Sequence, residues 1–254
     1  MTILLSRYSA VLFDCDGVLV DSEQITNTVL RGMLHTLGWQ ISEEECIRLF
    51  VGRALKDEWA VIEEHTGFVI TEGWLGEFRS RRNAALQANL TAIDGAVAAV
   101  AEVSAMFGDR IACVTGADRG KVEMQLSITG LDRWFGDRVF SGMEMPRSKP
   151  APDVYLAAAQ ALGIKPVDAL VVEDSVAGVT AGVCAGATVF GFAPESPTHT
   201  TPEVLREAGA SLIFTHMSEL PATIRRYRYS STAPGAGFRR PPRIPTSPTS
   251  QDVP

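Results

Sequence analysis

Two carboxylates one residue apart close a short apolar run in Ala10-Val11-Leu12-Phe13-Asp14-Cys15-Asp16-Gly17. A run of this kind reads as a buried parallel strand. Side chains two apart along a strand share a side. Asp14 and Asp16 are therefore expected to leave the strand's carboxyl end together, where open α/β sheets place their ligands. Two acids held this close need a cation, a shared proton or a catalytic task.

Three later segments carry the groups such a pair would use. Thr115-Gly116 ends a second apolar run, Lys149 lies in Ser148-Lys149-Pro150-Ala151-Pro152-Asp153, and Glu173-Asp174-Ser175 ends another run. In a parallel sheet these ends lie on one edge, so residues distant in sequence converge. Three or four carboxylates in one cleft repel, and a hard divalent cation with oxygen ligands, Mg2+ above all, resolves this. A phosphate monoester brings roughly two further negative charges, which one Mg2+ and one lysine largely balance. The Thr115 hydroxyl and the Gly116 amide can bond phosphate oxygens, and the helix that follows would turn its positive end toward them. A screened carboxylate can attack phosphorus, while a second acid protonates the leaving alcohol and then activates water; Asp14 and Asp16 fit these two tasks. The histidines His35, His65, His199 and His216 fall in no ligand spacing and are read as structural or surface groups.

The elements that must position these groups follow from periodicity. Strands are expected at Arg110–Thr115, Arg138–Phe140, Ala169–Glu173, Thr188–Phe190 and Leu212–Phe214, alternating with helices at Gly95–Phe107, Asp118–Ile128, Pro152–Leu162 and Ser175–Cys184. This order implies an α/β fold, a parallel sheet with helices on both faces. Between Asp21 and Leu90 the pattern is helical throughout: Ser22 reads as an N-cap, Ile25, Val29, Met33 and Leu37 follow at helical spacing, and further helices are expected at Ser42–Leu49, Ala54–His65 and Thr71–Asn89. The expected organisation is a core of residues 1–20 and 91–228, an inserted helical domain of residues 21–90, and a disordered tail of residues 229–254. That tail holds six of the fourteen prolines and many serines and threonines, with little apolar periodicity. Trp39, Trp59 and Trp74 are expected to fill the core of the insert, Arg79, Arg81 and Arg82 to form a solvated basic face, and Gly178 and Gly182 to allow close helix–sheet packing.

A net charge of -7 over 254 residues argues against nucleic acid or an anionic membrane as partner. Cys15, Cys46, Cys113 and Cys184 form no CxxC pair and read as reduced cysteines of a cytoplasmic protein. The amino terminus has no signal-peptide pattern, and no apolar stretch reaches membrane-spanning length.

The motifs Asp14-x-Asp16-Gly17-x-Leu19-x-Asp21-Ser22, Thr115-Gly116, Lys149-Pro150-x-Pro152-Asp153-x-Tyr155 and Glu173-Asp174-Ser175-x-x-Gly178 occur in order. Together they resemble the four motifs of the haloacid dehalogenase superfamily, over about Ala10 to Leu220. The resemblance implies a Rossmann-like core with an α-helical cap, like that of β-phosphoglucomutases and phosphoglycolate and sugar-phosphate phosphatases. Asp14 would be nucleophile and metal ligand, and Asp16 acid/base with its main-chain carbonyl on the metal. Thr115, Gly116 and Lys149 would hold the phosphoryl group, and Asp174 would complete the Mg2+ site with Glu173 beside it or one layer out. Arg53 stands where relatives carry a cap loop and is a candidate substrate contact. Thr26 and Leu55 replace a histidine and an arginine of the mutases, which favours net hydrolysis, and two segments are similar to 6-phosphogluconate-type phosphatases. The expectation is a phosphatase of small phosphorylated metabolites, a monomer or weak homodimer. A phosphosugar mutase and a non-catalytic binding protein are the alternatives.

Overall fold

Residues 8–50 and 59–227 are described by the computed structural model. Six strands, β1 (Ala10–Phe13), β2 (Ile111–Thr115), β3 (Val139–Ser141), β4 (Ala169–Glu173), β5 (Thr188–Phe192) and β6 (Leu212–Phe214), form one sheet in the order β3-β2-β1-β4-β5-β6. Every neighbouring pair is parallel. β1, β2 and β4 are buried along their whole length, which is why they read as unbroken apolar runs: a parallel sheet is covered on both faces. The strands match the expected segments closely; β5 continues to Phe192, two residues past its expected end.

Helices fill both faces. α5 (Ala96–Phe107), α6 (Arg119–Thr129) and α7 (Asp132–Phe135) cover one, where Val100, Leu126 and Phe135 meet Val11, Phe13 and Cys113. α8 (Asp153–Ala161) and α9 (Val176–Ala185) cover the other, where Tyr155 and Val179 meet Leu12, Val114 and Val171. α10 (Pro202–Glu207) packs beside α9 near β5 and β6, and α11 (Leu220–Arg226) packs beside α5 on the opposite face.

Between β1 and α5 the chain is helical: α1 (Glu23–Thr36), α2 (Glu43–Phe50), α3 (Trp59–Thr66) and α4 (Glu72–Asn89). These helices have an apolar cluster of their own, with Leu30, Leu34, Phe50, Ile62 and Phe78 buried in it. The two crossings to the sheet are tied together: Asp21 N–H donates to Thr91 O, Ile93 N–H to Leu19 O, each at 3.0 Å, and Val20 bridges both Asp16 and Ala92. Trp39 stacks on His65 and Trp74 on Phe78, both against this cluster. Trp59 does not join them. It is 52% exposed at the start of α3, where the first helical turn faces outward.

Ser22 stands at the head of α1 as expected, but its side chain makes no cap; the hydroxyl donates to Asp16 instead. Cys15, Cys46 and Cys113 are buried and Cys184 is exposed, all as free thiols. Among the described residues no helix is long and apolar enough to cross a membrane. Arg53, Leu55 and the tail of residues 229–254 lie outside the described residues.

Candidate active site

The strand order places a switch point between β1 and β4, since the chain leaves β1 for β2 on one side and reaches β4 on the other. Asp14 directly follows β1, and Glu173 ends β4 with Asp174 next to it. Oxygens of Asp14, Glu173 and Asp174 lie within 4.8 Å of one another. The ends of β2 and β3 add Thr115 and the loop bearing Lys149. All of these except Glu173 line one cleft of about 690 Å3 between the sheet edge and the inserted helices.

Lys149 is the centre of the charge pattern. Its Nζ donates to Asp14 Oδ1 at 2.6 Å, Glu173 Oε1 at 2.7 Å and the Val114 carbonyl at 2.9 Å. All three ammonium protons are thus committed. Burial alone would lower its pKa, but Asp14 and Glu173 outweigh that and hold it well above the ordinary lysine value. Glu173 is wholly buried and fully bonded. Oε1 accepts from Lys149 and from Tyr155 Oη at 2.9 Å, while Oε2 accepts from Asp174 N–H, Ser175 N–H and Ser175 Oγ. Both of its oxygens are taken by protein donors, so it fixes its neighbours.

Asp174 is the opposite case. Its carboxylate is buried and has no hydrogen bond among the described residues; burial, then the charges of Glu173 and Asp14, raise its pKa well above the usual carboxylate range. Burial also raises Asp14 to about 7, with Lys149 opposing and Glu173 adding to the rise. Gly17 explains how the loop after β1 comes so close to Asp174. At φ +76° it adopts a left-handed conformation, and a Cβ there would lie 2.1 Å from Asp174 Oδ2.

Asp16 enters the same cleft but takes different partners from Asp14. The strand ends at Phe13 and Cys15 turns into the core, so the alternation persists through the loop. The two carboxylates then diverge. Lys121 Nζ donates to both Asp16 oxygens at 2.8 Å, and Gln125 Nε2 and Ser22 Oγ donate to Oδ1. Burial would raise this acid, but Lys121 and the other donors bring it down to about 2. The Asp16 carboxylate is not a member of the acidic cluster. Lys121 and Gln125 were not foreseen. They sit one turn apart on α6, and the signal available was a lysine and a glutamine flanked by the apolar Val122 and Leu126 on a single helix face.

Thr115 is buried, and its Oγ1 accepts from Ala117 N–H at 3.0 Å, shaping the turn that exposes Gly116 to the cleft. Asp118 caps α6 by accepting from Lys121 N–H at 2.9 Å. His199 donates from Nε2 to the Gly17 carbonyl at 3.1 Å; burial lowers its pKa, which fits a neutral ring with its proton on Nε2.

Both glycines of α9 lie close against the sheet, as expected. Gly182 meets Val189 and Val171, and Gly178 meets Glu173 at the end of β4: a Cβ there would be 1.6 Å from Oε1. Its bareness makes room for a carboxylate. One expectation needs correction: the basic cluster divides. Arg81 is solvated and pairs with Glu77, whereas Arg82 turns inward and lines the cleft with Arg79, its side chain 11% exposed. The reason is that α4 lies over α6, which covers one side of α4 and leaves the other free.

A model of the haloacid dehalogenase-like hydrolases matches residues 8–186. The chain is 30% identical over 230 residues to the 6-phosphogluconate phosphatase of Escherichia coli K12, covering 90% of this chain and 100% of that protein. It is 30% identical over 209 residues to hexitol phosphatase A of the same organism, covering 78% of this chain and 89% of that one. Among solved structures, a HAD family hydrolase from Deinococcus radiodurans with bound phosphate and sodium superposes with a TM-score of 0.74 at 33% identity, over 90% of this chain and 100% of that chain.

Proposed function

Because this chain belongs to the haloacid dehalogenase-like hydrolases, we propose that it is a Mg2+-dependent phosphatase of small phosphorylated metabolites, sugar phosphates foremost. Asp14 is the nucleophile and Asp16 the acid and base. The observation that carries this reading is the single ammonium of Lys149 held between Asp14 and Glu173 at the sheet's switch point, beside the Asp174 carboxylate, which has no hydrogen bond among the described residues.

The donor set suits Mg2+. Asp174 offers free carboxylate oxygens, Asp14 lies within reach of the same point, and both resist ionising as they stand; a hard divalent cation is the partner that favours their charged forms. Asp14, Asp174 and the main-chain oxygen of Asp16 would hold it, with Glu173 fixing the surroundings. When bound, Mg2+ screens the repulsion between carboxylate and phosphate and stabilises charge on the transferring group.

The chain's own residues divide the rest. Lys149 adds a fixed positive charge against the phosphoryl oxygens, and the Thr115 hydroxyl and Gly116 N–H supply donors to them. An Asp14 oxygen forms a bond to phosphorus as the bond from phosphorus to the leaving oxygen breaks, and Asp16 gives that oxygen its proton. In the second step Asp16 takes a proton from water, whose oxygen bonds to phosphorus, and the phosphorus–Asp14 bond breaks. Contact with Lys121 keeps Asp16 in the ionised form that the second step uses. The first step needs the protonated form, which that contact disfavours. Thr26 lines the cleft with a hydroxyl where related mutases carry a histidine, which supports hydrolysis over transfer back to the substrate.

A phosphate-release assay with Mg2+ over sugar phosphates, 6-phosphogluconate, phosphoglycolate and nucleotides tests this. Turnover of at least one sugar phosphate is expected, falling about 10³-fold or more in Asp14→Asn and abolished by EDTA. Retained Mg2+-dependent turnover in Asp14→Asn overturns the assignment.

A further inference from the structure

Two guanidinium groups face the cleft from the inserted helices, and phosphoryl transfer uses neither. Arg79 and Arg82 are three apart on α4 and so share a face; both line the cleft that holds Asp14 and Lys149. Arg82 is the more buried. Its Nε and Nη2 donate to Asn83 Oδ1 at 3.1 and 2.9 Å, Nη2 lies 3.5 Å from Asp118, and the guanidinium sits 5.8 Å from the centre of the Phe78 ring. Nη1 has no hydrogen bond among the described residues. Arg79 has none at all there; its nearest carboxylate is Glu72, 3.9 Å away and almost fully exposed.

A buried cation without full pairing is costly. Burial lowers the Arg82 pKa, Asp118 and the more distant Asp16 oppose this, and the neighbouring Arg79 charge adds to the lowering. Asp118 is the carboxylate in contact with Arg82, and it also serves as the cap of α6. The Arg82 Nη1 amine and the whole guanidinium of the half-exposed Arg79 are left to bind the oxygens of a carboxylate or phosphate. The phosphoryl group itself would be held on the opposite wall, by groups of the sheet edge.

We infer that Arg79 and Arg82 form an anion-binding subsite for the leaving-group end of the substrate, so that the preferred phosphate esters carry a second negative group, a carboxylate or a second phosphate. This rests on the phosphatase reading and goes beyond it by naming the substrate's far end.

The test compares substrates that differ by that charge: 6-phosphogluconate against glucose 6-phosphate, and fructose 1,6-bisphosphate against fructose 1-phosphate. For at least one pair kcat/KM is expected to favour the doubly anionic member by about ten- to a hundredfold. The preference should shrink about tenfold in Arg79→Met and in Arg82→Lys, mainly through KM, and remain in Arg81→Met, whose charge lies on the outer face. Arg82→Lys keeps the buried charge but not the fork, so the fold is not put at risk. A ratio near one for both pairs in the native chain, or a ratio unmoved in both Arg79→Met and Arg82→Lys, overturns the subsite. Calorimetric binding of the same pairs to Asp14→Asn reads the preference without turnover. A chain that binds with this preference yet hydrolyses nothing would refute the phosphatase reading alone.

Discussion

Lys121 holds both carboxylate oxygens of Asp16 at 2.8 Å across a sequence separation of 105 residues. Its side chain is 9% exposed and that of Asp16 16%, so the ion pair is largely withdrawn from water. It ties the loop after β1 to α6, and with Ser22 and Gln125 it gives the acid four donor contacts.

Removing one member of such a pair leaves a buried charge alone. Lys121→Met is expected to destabilise the protein by about 3 kcal/mol in urea unfolding, and Lys121→Arg by clearly less. Lys121→Met/Asp16→Asn should be less destabilised than the sum of the single changes. Strict additivity would show that the contact contributes nothing.

Acid should remove the same contribution. The folded-state pKa of Asp16 is about 2, below its ordinary 3.8, so the unfolded chain takes up a proton first. The stabilisation is fully present above about pH 4 and lost as pH falls through about 2, amounting to about 2 kcal/mol. The stability difference between the native chain and Asp16→Asn should therefore be level from pH 7 to pH 4 and narrow below it. A difference independent of pH down to 2.5 would contradict the assignment.

The acidic cluster titrates in the other sense. Asp14 is raised to about 7 and Asp174 is raised well above its ordinary value. In EDTA the folded state holds protons that the unfolded state has released, so stability should decline as pH rises from about 4 through about 7. Mg2+ should reverse this. At a hundred times its dissociation constant it adds about 2.7 kcal/mol, visible as a higher melting temperature above pH 7. Asp174→Asn should show little of that increase; an equal increase would place the ion elsewhere.

Gly178→Ala and Gly182→Ala separate two uses of glycine on α9. An Ala Cβ at 178 would lie 1.6 Å from Glu173 Oε1 and 1.9 Å from its Cδ, so the carboxylate must leave Lys149, Tyr155 and Ser175. A loss of about 3 kcal/mol or more is expected, with phosphate release falling in parallel. At 182 the nearest atom is Val189 Cγ2 at 2.8 Å, the end of a side chain. There the cost should be about 1–2 kcal/mol and turnover per folded molecule should be kept. Equal activity losses in the two variants would argue against a special place for Gly178.

The sheet was legible because a parallel sheet buries both faces, so its strands stand out as apolar runs; Ala169–Glu173 was delimited to the residue. The convergence of Asp14, Thr115, Lys149 and Asp174 followed from the same fact, since each stands at or just beyond a strand's carboxyl end. Lys121, Gln125 and Arg82 were hidden because their surroundings are tertiary. A polar residue on a helix face reads as solvated until a second helix covers it, and only the approach of α4 to α6 and of α6 to the β1 loop does so. The Ser22 hydroxyl had two possible roles, accepting from the N–H groups of the first helical turn or donating to Asp16, and spacing alone favours the first. The glycine pattern of α9 gave the closeness but not what approached.

Glu173 takes five hydrogen bonds from four residues, Lys149, Tyr155, Asp174 and Ser175, and Gly178 clears the space it occupies. These positions are thereby locked into joint drift. An exchange at any one of them strands a donor or a charge that only a matching exchange at another could absorb. Variation that alters what the molecule acts on has its cheap route elsewhere, through side chains on the inserted helices that this carboxylate does not touch.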